Sequence, residues 1–117
     1  MSTKFIVKTK ELNKKMEKQT IKNFDEIVVL LKTIKPILEK KYHLKSIGVF
    51  GSYVRCEQKP GSDLDILIEL SEPIGLFSYI AMERELSEYI GIKVDLVMKG
   101  SLKPRIGQYI LKEVVTV

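Results

Sequence analysis

Asp63 and Asp65 stand one residue apart at the entrance of an apolar run, Leu64 to Leu70 (LDILIEL). Residues two apart in a strand point to the same face, so the two acids project together while Leu64, Ile66 and Ile68 point the other way. The run therefore reads as a strand with one buried face and an acidic end on the other. A second stretch, Lys93 to Met98 (KVDLVM), repeats the pattern, with Asp95 between Val94 and Leu96. If the two strands are neighbours, the three carboxylates can converge. At about 5 Å and an effective dielectric of about 20, each like-charged pair costs roughly 3 kcal/mol. Such a cluster calls for a counter-charge. Hard oxygen donors favour Mg²⁺, which takes one or two carboxylates and completes its shell with water and phosphate.

Ahead of the acids, Ser46 to Phe50 (SIGVF) reads as a short buried strand that ends in Gly51-Ser52, and Tyr53-Val54-Arg55 can open a helical turn. The start of such a turn presents free backbone N–H groups, which suit a phosphate. Gly51 lets the backbone approach a ligand closely. The Ser52 hydroxyl can donate to a phosphate oxygen; Arg55 can add a charged donor or form a salt bridge, and its residue type leaves both open. Phosphate donors beside a carboxylate–metal cluster are the parts of phosphoryl or nucleotidyl transfer. One ion would hold the triphosphate and a second would activate a hydroxyl, with Asp95 drawing off its proton. The plainer readings stand beside this one. Asp63 alone is a turn residue before a strand, and Ser62 is a turn residue with a lesser claim on nucleotide. Asp65 and Asp95 interrupt apolar runs, which packing alone does not explain.

The remaining chain alternates helix and strand. Asn23 is a good N-cap with Glu26 three residues on. Phe24, Val28, Leu31, Ile34 and Leu38 then recur at spacings of three and four, one face of a helix. Pro36 inside that pattern predicts a kink or a split near Lys35. From about Leu76, the residues Tyr79, Ile80, Met82, Leu86, Tyr89 and Ile90 mark another helix, which Gly91 is placed to end. Arg105 to Lys112 predicts a last helix, and Glu113 to Val117 a short edge strand. Gly100-Ser101 is a turn. Tyr79, Tyr89 and Tyr109 read as half-buried packing residues, His43 as a surface residue, and Cys56 as incidental. The expected architecture is α/β (α+β): a small mixed sheet with helices packed on one face.

Charge and composition narrow the partners. The net charge of +5 is concentrated at the start: residues 1–45 hold 12 lysines against 5 acids, whereas residues 46–117 hold 8 Lys/Arg against 10. Residues 1–20 read as a basic arm or helix extension and 21–117 as the domain. No aromatic-rich basic groove accompanies the lysines, which argues against nucleic acid as a direct partner. No apolar run approaches a membrane span, and no block resembles a secretory signal. One cysteine cannot form an internal disulfide, which fits the cytoplasm.

Gly51-Ser52, ten residues, then Asp63-x-Asp65 resembles the signature of the DNA polymerase β-type nucleotidyltransferase superfamily. More narrowly, GVFGSYVRCEQKPGSDLDILIEL is similar to the minimal nucleotidyltransferase (MNT) domains, including MntA-type antitoxins of HEPN/MNT toxin–antitoxin pairs. The resemblance runs from about residue 25 to the C-terminus and includes KVDLV and the late KPRI segment. It implies that Gly51 and Ser52 hold nucleotide phosphates, that Asp63 and Asp65 bind metal, and that Asp95 completes the site as ligand and base. It further implies AMP transfer from ATP, with two Mg²⁺ ions, onto a hydroxyl of a HEPN-type toxin, often a tyrosine. One position departs from the pattern. Relatives commonly carry glycine after the arginine, where this chain has Cys56; a glycine there serves a positive-φ turn, which puts the path of residues 56–61 and the placing of Arg55 in question.

The expected function is thus a Mg²⁺-dependent nucleotidyltransferase acting as an antitoxin. With no room for a separate acceptor domain, the acceptor is held by a partner's surface or by a second copy of the chain. A non-catalytic antitoxin that works by binding alone is the alternative from another class. Transfer to a small molecule such as an aminoglycoside is weaker, because no acceptor pocket is evident in the sequence.

Overall fold

The Asn23 side chain accepts the amide of Glu26 at 2.9 Å, and with this cap the first helix, α1, begins at Phe24 and runs to Tyr42. Asp25 and Glu26 in its first turn and Lys40 and Lys41 in its last complement the helix dipole. The computed structural model describes residues 22–117, so the reading of residues 1–20 as a basic arm lies outside the described residues. The buried stripe of α1 is Ile27, Leu31, Ile34, Leu38 and Tyr42. Phe24 and Val28, expected on that stripe, sit on its flank and are only partly buried.

Pro36 does not divide the helix. It lies on the exposed side, where the lost donor leaves a carbonyl to solvent. Ile34 and Leu38 are anchored in the core on either side of it, and tertiary burial outweighs the local break. The helix ends at His43, exposed and in the left-handed region at φ 59.

Among the described residues, four strands form one sheet in the order β3-β2-β1-β4. Strand β1 (Leu44–Phe50) runs antiparallel to β2 (Leu64–Leu70), and β2 runs parallel to β3 (Val94–Met98). The two-residue β4 (Val115–Thr116) pairs antiparallel with the free edge of β1 at Gly48 and Val49. Strand β1 starts two residues before the expected Ser46, because Leu44 is buried and pairs with Leu70 across a bulge. The parallel pair is joined by helix α2 (Leu76–Ile90), which stops at Gly91, φ 79, whose amide donates to Ser87 O at 2.8 Å. Helix α3 (Pro104–Glu113) follows a short 3-10 turn at Lys99–Ser101 that contains Gly100-Ser101.

The core lies between one face of the sheet and helices α1 and α2. Ile47, Val49, Leu64, Ile66, Ile68, Val94 and Leu96 meet the α1 stripe and Met82, Leu86 and Ile90 of α2. Each fully buried side chain of this kind contributes about 1.5–3 kcal/mol. Ile80 and Tyr89 of α2 face outward, against the expectation of a single apolar side, and Tyr109 of α3 is largely exposed rather than half-buried. In α2, a turn of 3.6 residues carries Ile80 and Tyr89 away from the stripe set by Met82, Leu86 and Ile90. The opposite face of the sheet carries Gly48, Phe50, Asp65 and Leu67. Val114, just past α3, presses on it so closely that a Cβ at Gly48 would meet Val114 Cγ2 at 2.7 Å.

Candidate active site

Strand β1 ends at Phe50, and the chain turns at Gly51, φ 83. The amides of Val54 and Arg55 both donate to Gly51 O, at 3.1 and 3.3 Å, and Glu57 N donates to Ser52 O at 2.9 Å. Residues 52–56 thus make the expected helical turn. The Tyr53 ring is driven into the core and pins the turn to it. Gly51 is needed for space as well as for conformation. A Cβ there would lie 2.1 Å from Asp65 Oδ2, so the Asp65 carboxylate fills the volume that a side chain would take.

The loop to β2 contains a second left-handed residue, Cys56 at φ 57, at the position where glycine was expected. The chain adopts the glycine conformation with a cysteine in it, at a backbone cost of about 1–2 kcal/mol. The Cys56 thiol is free and exposed. Ser62 closes the loop: its hydroxyl accepts the Lys59 amide at 2.8 Å, and its own amide donates to Lys59 O at 2.9 Å.

Asp65 and Asp95 share one face of the sheet, and Asp63 stands just before β2. Asp65 is the register partner of Phe50 on one side and of Asp95 on the other. Paired residues of neighbouring strands share a face, so Asp95 projects beside Asp65, while Asp63, just ahead of the strand, is near enough for its charge to act on Asp65. Leu64 N, donating to Lys93 O at 2.8 Å, locks this register at its first rung. Burial first, and then the charges of Asp95 and Asp63, push the Asp65 carboxyl up to about 6. The nearby Arg55 acts in the opposite direction and Glu113 adds to the rise.

Arg55 is held by carboxylates. Its Nε lies 3.1 Å from Glu57 Oε2, and its Nη1 donates to Glu113 at the end of α3. Lys93 Nζ approaches Asp63 Oδ2 at 4.0 Å. Glu113 had no signal in the sequence, since it reaches the site only because α3 returns the chain to β1 through β4. A further set of contacts was also missed: Tyr79, Glu83 and Ser87 of α2 bond to the backbone of β3 on both sides of Asp95. Their spacing of four does mark one helix stripe, but nothing local shows that the stripe faces a strand edge. Beside Val97, about 7 Å along β3 from Asp95, an apolar cleft of about 390 Å³ opens between Ile74, Leu76, Tyr79 and Met98.

The donor set suits a hard divalent cation, because all three groups are carboxylates. Among the described residues, no three acidic or imidazole side chains are drawn together tightly enough to form a ready-made metal cage. The backbone places Asp65 and Asp95 side by side on β2 and β3.

Residues 31–117 match the family model described as the nucleotidyltransferase domain. The chain belongs to this nucleotidyltransferase family. A Methanocaldococcus jannaschii protein named as a candidate protein adenylyltransferase is 51% identical over 82 residues, covering 70% of this chain and 84% of its own. The protein adenylyltransferase MntA of Thermococcus cleftensis is 45% identical over 93 residues, covering 80% of this chain and 94% of its own. Among solved structures, a candidate minimal nucleotidyltransferase superposes with a TM-score of 0.72 at 23% identity, covering 84% of this chain and 99% of that one. A complex of tri-AMPylated Shewanella oneidensis HEPN toxin with its MNT antitoxin superposes at 0.59 and 20% identity, covering 77% of this chain and 70% of that one. These structural likenesses bear on the fold. The nucleotidyltransferase domain therefore has the family architecture expected from GS-x₁₀-DxD, and residues 51–65 and 95 lie within the matched span.

Proposed function

We propose that this nucleotidyltransferase transfers AMP from ATP to a hydroxyl on a partner protein and so acts as the antitoxin of a HEPN-type toxin. The observation that carries the reading is the register pairing of Asp65 with Asp95 directly beside the Gly51 turn. It puts carboxylates and phosphate-facing backbone within one small region, as nucleotidyl transfer requires. The name of the Thermococcus relative and the AMPylated toxin in the Shewanella complex support the class of acceptor.

In this reading Gly51, Ser52 and Arg55 hold the triphosphate. Among the described residues, the Ser52 and Tyr53 amides have no protein acceptor, and they can turn to phosphate oxygens. Ser62 keeps its own hydroxyl proton to donate to nucleotide while accepting from Lys59. Asp63, Asp65 and Asp95 would hold two Mg²⁺ ions, which supply charge neutralisation at the phosphates and a more acidic acceptor hydroxyl. Asp95 accepts the proton of that hydroxyl. The acceptor oxygen bonds to the α-phosphorus, the bond from that phosphorus to the bridging oxygen breaks, and pyrophosphate leaves. The apolar cleft beside Val97 suits an aromatic acceptor, so tyrosine is the proposed residue.

Incubation of the chain with α-labelled ATP, Mg²⁺ and the product of its neighbouring gene tests this. Label on the neighbour that vanishes in Asp63→Ala/Asp65→Ala is the expected result. Neutralisation of the neighbour that persists in that variant would show occlusion in place of catalysis.

A further inference from the structure

Among the described residues, the outward row of backbone groups on the edge strand β3 has no strand to pair it, and α2 supplies the partners. Ser87 Oγ accepts the Val94 amide at 3.0 Å, and Glu83 Oε2 accepts the Leu96 amide at 3.0 Å. The Tyr79 hydroxyl donates to Leu96 O. The three residues are spaced by four, so they form a single stripe along α2 that lies against the strand. Ser87 also donates to Glu83 O at 2.8 Å, which ties its hydroxyl to the helix and fixes its direction.

These contacts are distributed in a particular way. Alternate residues of a strand turn their amides to opposite edges, so Val94 and Leu96 face α2 while Asp95 lies between them in register with Asp65. All three side chains grip the residues immediately before and after Asp95. An edge can be covered without this arrangement, by a charged fringe or a bulge. Here the central contact is a side-chain oxygen accepting the Leu96 amide. It also brings another negative charge towards a region already crowded with aspartates. The Tyr79 hydroxyl registers both: after burial, it is shifted upward by Glu83 and then by Asp95.

We infer that Glu83, flanked by Tyr79 and Ser87, is a positioning residue that fixes the backbone on both sides of Asp95 and thereby sets where its carboxylate stands relative to Asp65. The inference rests on the reading of Asp95 as a ligand of the divalent ion, and it extends the working site from the sheet face to a stripe of α2. Glu83 touches neither nucleotide nor ion; it acts through Leu96. Its function is to remove freedom from a strand that, among the described residues, has a partner strand on one side only.

The test uses the full chain with ATP and Mn²⁺ as the probe ion, so that no acceptor is needed. Three quantities are read for wild type, Glu83→Ala, Glu83→Gln and Asp95→Ala: Mn²⁺ affinity from water-proton relaxation, amide exchange at Leu96, and thermal midpoint. Glu83→Ala is expected to speed exchange at Leu96 and to weaken Mn²⁺ binding by about 10–100-fold, the usual range for a residue that orients a ligand. Glu83→Gln keeps an oxygen acceptor and restores both. If Glu83→Ala does not fold, Tyr79→Phe and Ser87→Ala, which each delete one flanking contact, carry the same comparison with smaller expected losses. Faster exchange at Leu96 with unchanged Mn²⁺ affinity would overturn the inference and reduce the stripe to an edge cover. A Glu83→Gln variant as impaired as Glu83→Ala would overturn it too, since charge rather than the hydrogen bond would then matter. Unchanged affinity in Asp95→Ala would instead remove the underlying assignment of Asp95, an outcome distinct from failure of the clamp.

Discussion

The carboxylate of Asp65 occupies the space that a side chain at Gly51 would fill: a Cβ built on Gly51 lies 2.1 Å from Asp65 Oδ2. The turn after β1 and the acid on β2 therefore fit together as one unit. Gly51→Ala should fail on two counts, an L-residue at φ 83 and a displaced carboxylate. The backbone alone costs about 1–2 kcal/mol. Displacement of Asp65 by about 1 Å should lower AMP transfer about 100-fold. Chemical denaturation and single-turnover label transfer measure the two effects separately.

The Asp65 carboxyl, raised from 3.8 to about 6, gives a pH signature. A carboxyl with a raised folded value favours the folded chain while protonated. That contribution is complete below about pH 3.8 and is lost as pH rises through about 6. In chelator, Asp65→Asn should be more stable than wild type at pH 7, and the advantage should shrink to nothing near pH 4. Calorimetric midpoints across that window test it; an advantage that grows as pH falls would contradict it.

Cys56 occupies a backbone well that suits glycine. Cys56→Gly should stabilise the chain by about 1 kcal/mol, with relief of the left-handed strain partly offset by the greater freedom of glycine in the unfolded chain. Transfer activity should be retained. Equilibrium urea unfolding at equal slope is the measurement, and a destabilised variant would show that the thiol makes a contact worth more than the strain.

Arg55 is shared between Glu57 and Glu113, and both raise its pKa, Glu57 the more. A triphosphate has to compete for it. Glu113→Gln should therefore tighten ATP binding, by about fivefold or less because exposed ion pairs are weak, whereas Arg55→Ala should loosen it. Calorimetric titration with Mg·ATP gives both signs. ATP affinity unchanged in both variants would confine Arg55 to its ion pairs.

Much of the site was legible because it is written in local pattern. Period-two alternation placed Leu64, Ile66 and Ile68 on the buried side and Asp65 on the other, and the strand bounds Leu64–Leu70 agree with it, with Asp63 just ahead of the strand. Gly51-Ser52 and the helical turn after it follow from short-range sterics, as do the Asn23 cap and the Gly91 stop. Pro36 shows the limit of the same logic. Its local effect is real, but burial of Ile34 and Leu38 is a long-range term that a window of sequence does not contain.

The sequence by itself determined which residue types could serve the chemistry and which face of each strand they would take, because alternation and turn geometry act over a few residues. Only the tertiary structure decided that β2 and β3 are parallel neighbours in the register that pairs Asp65 with Asp95. It also decided that Glu113 returns to Arg55 and that Tyr79, Glu83 and Ser87 grip the edge of β3. Those contacts join segments far apart in the chain, and they exist because the core of α1, α2 and the sheet leaves one packing that buries its apolar stripes together.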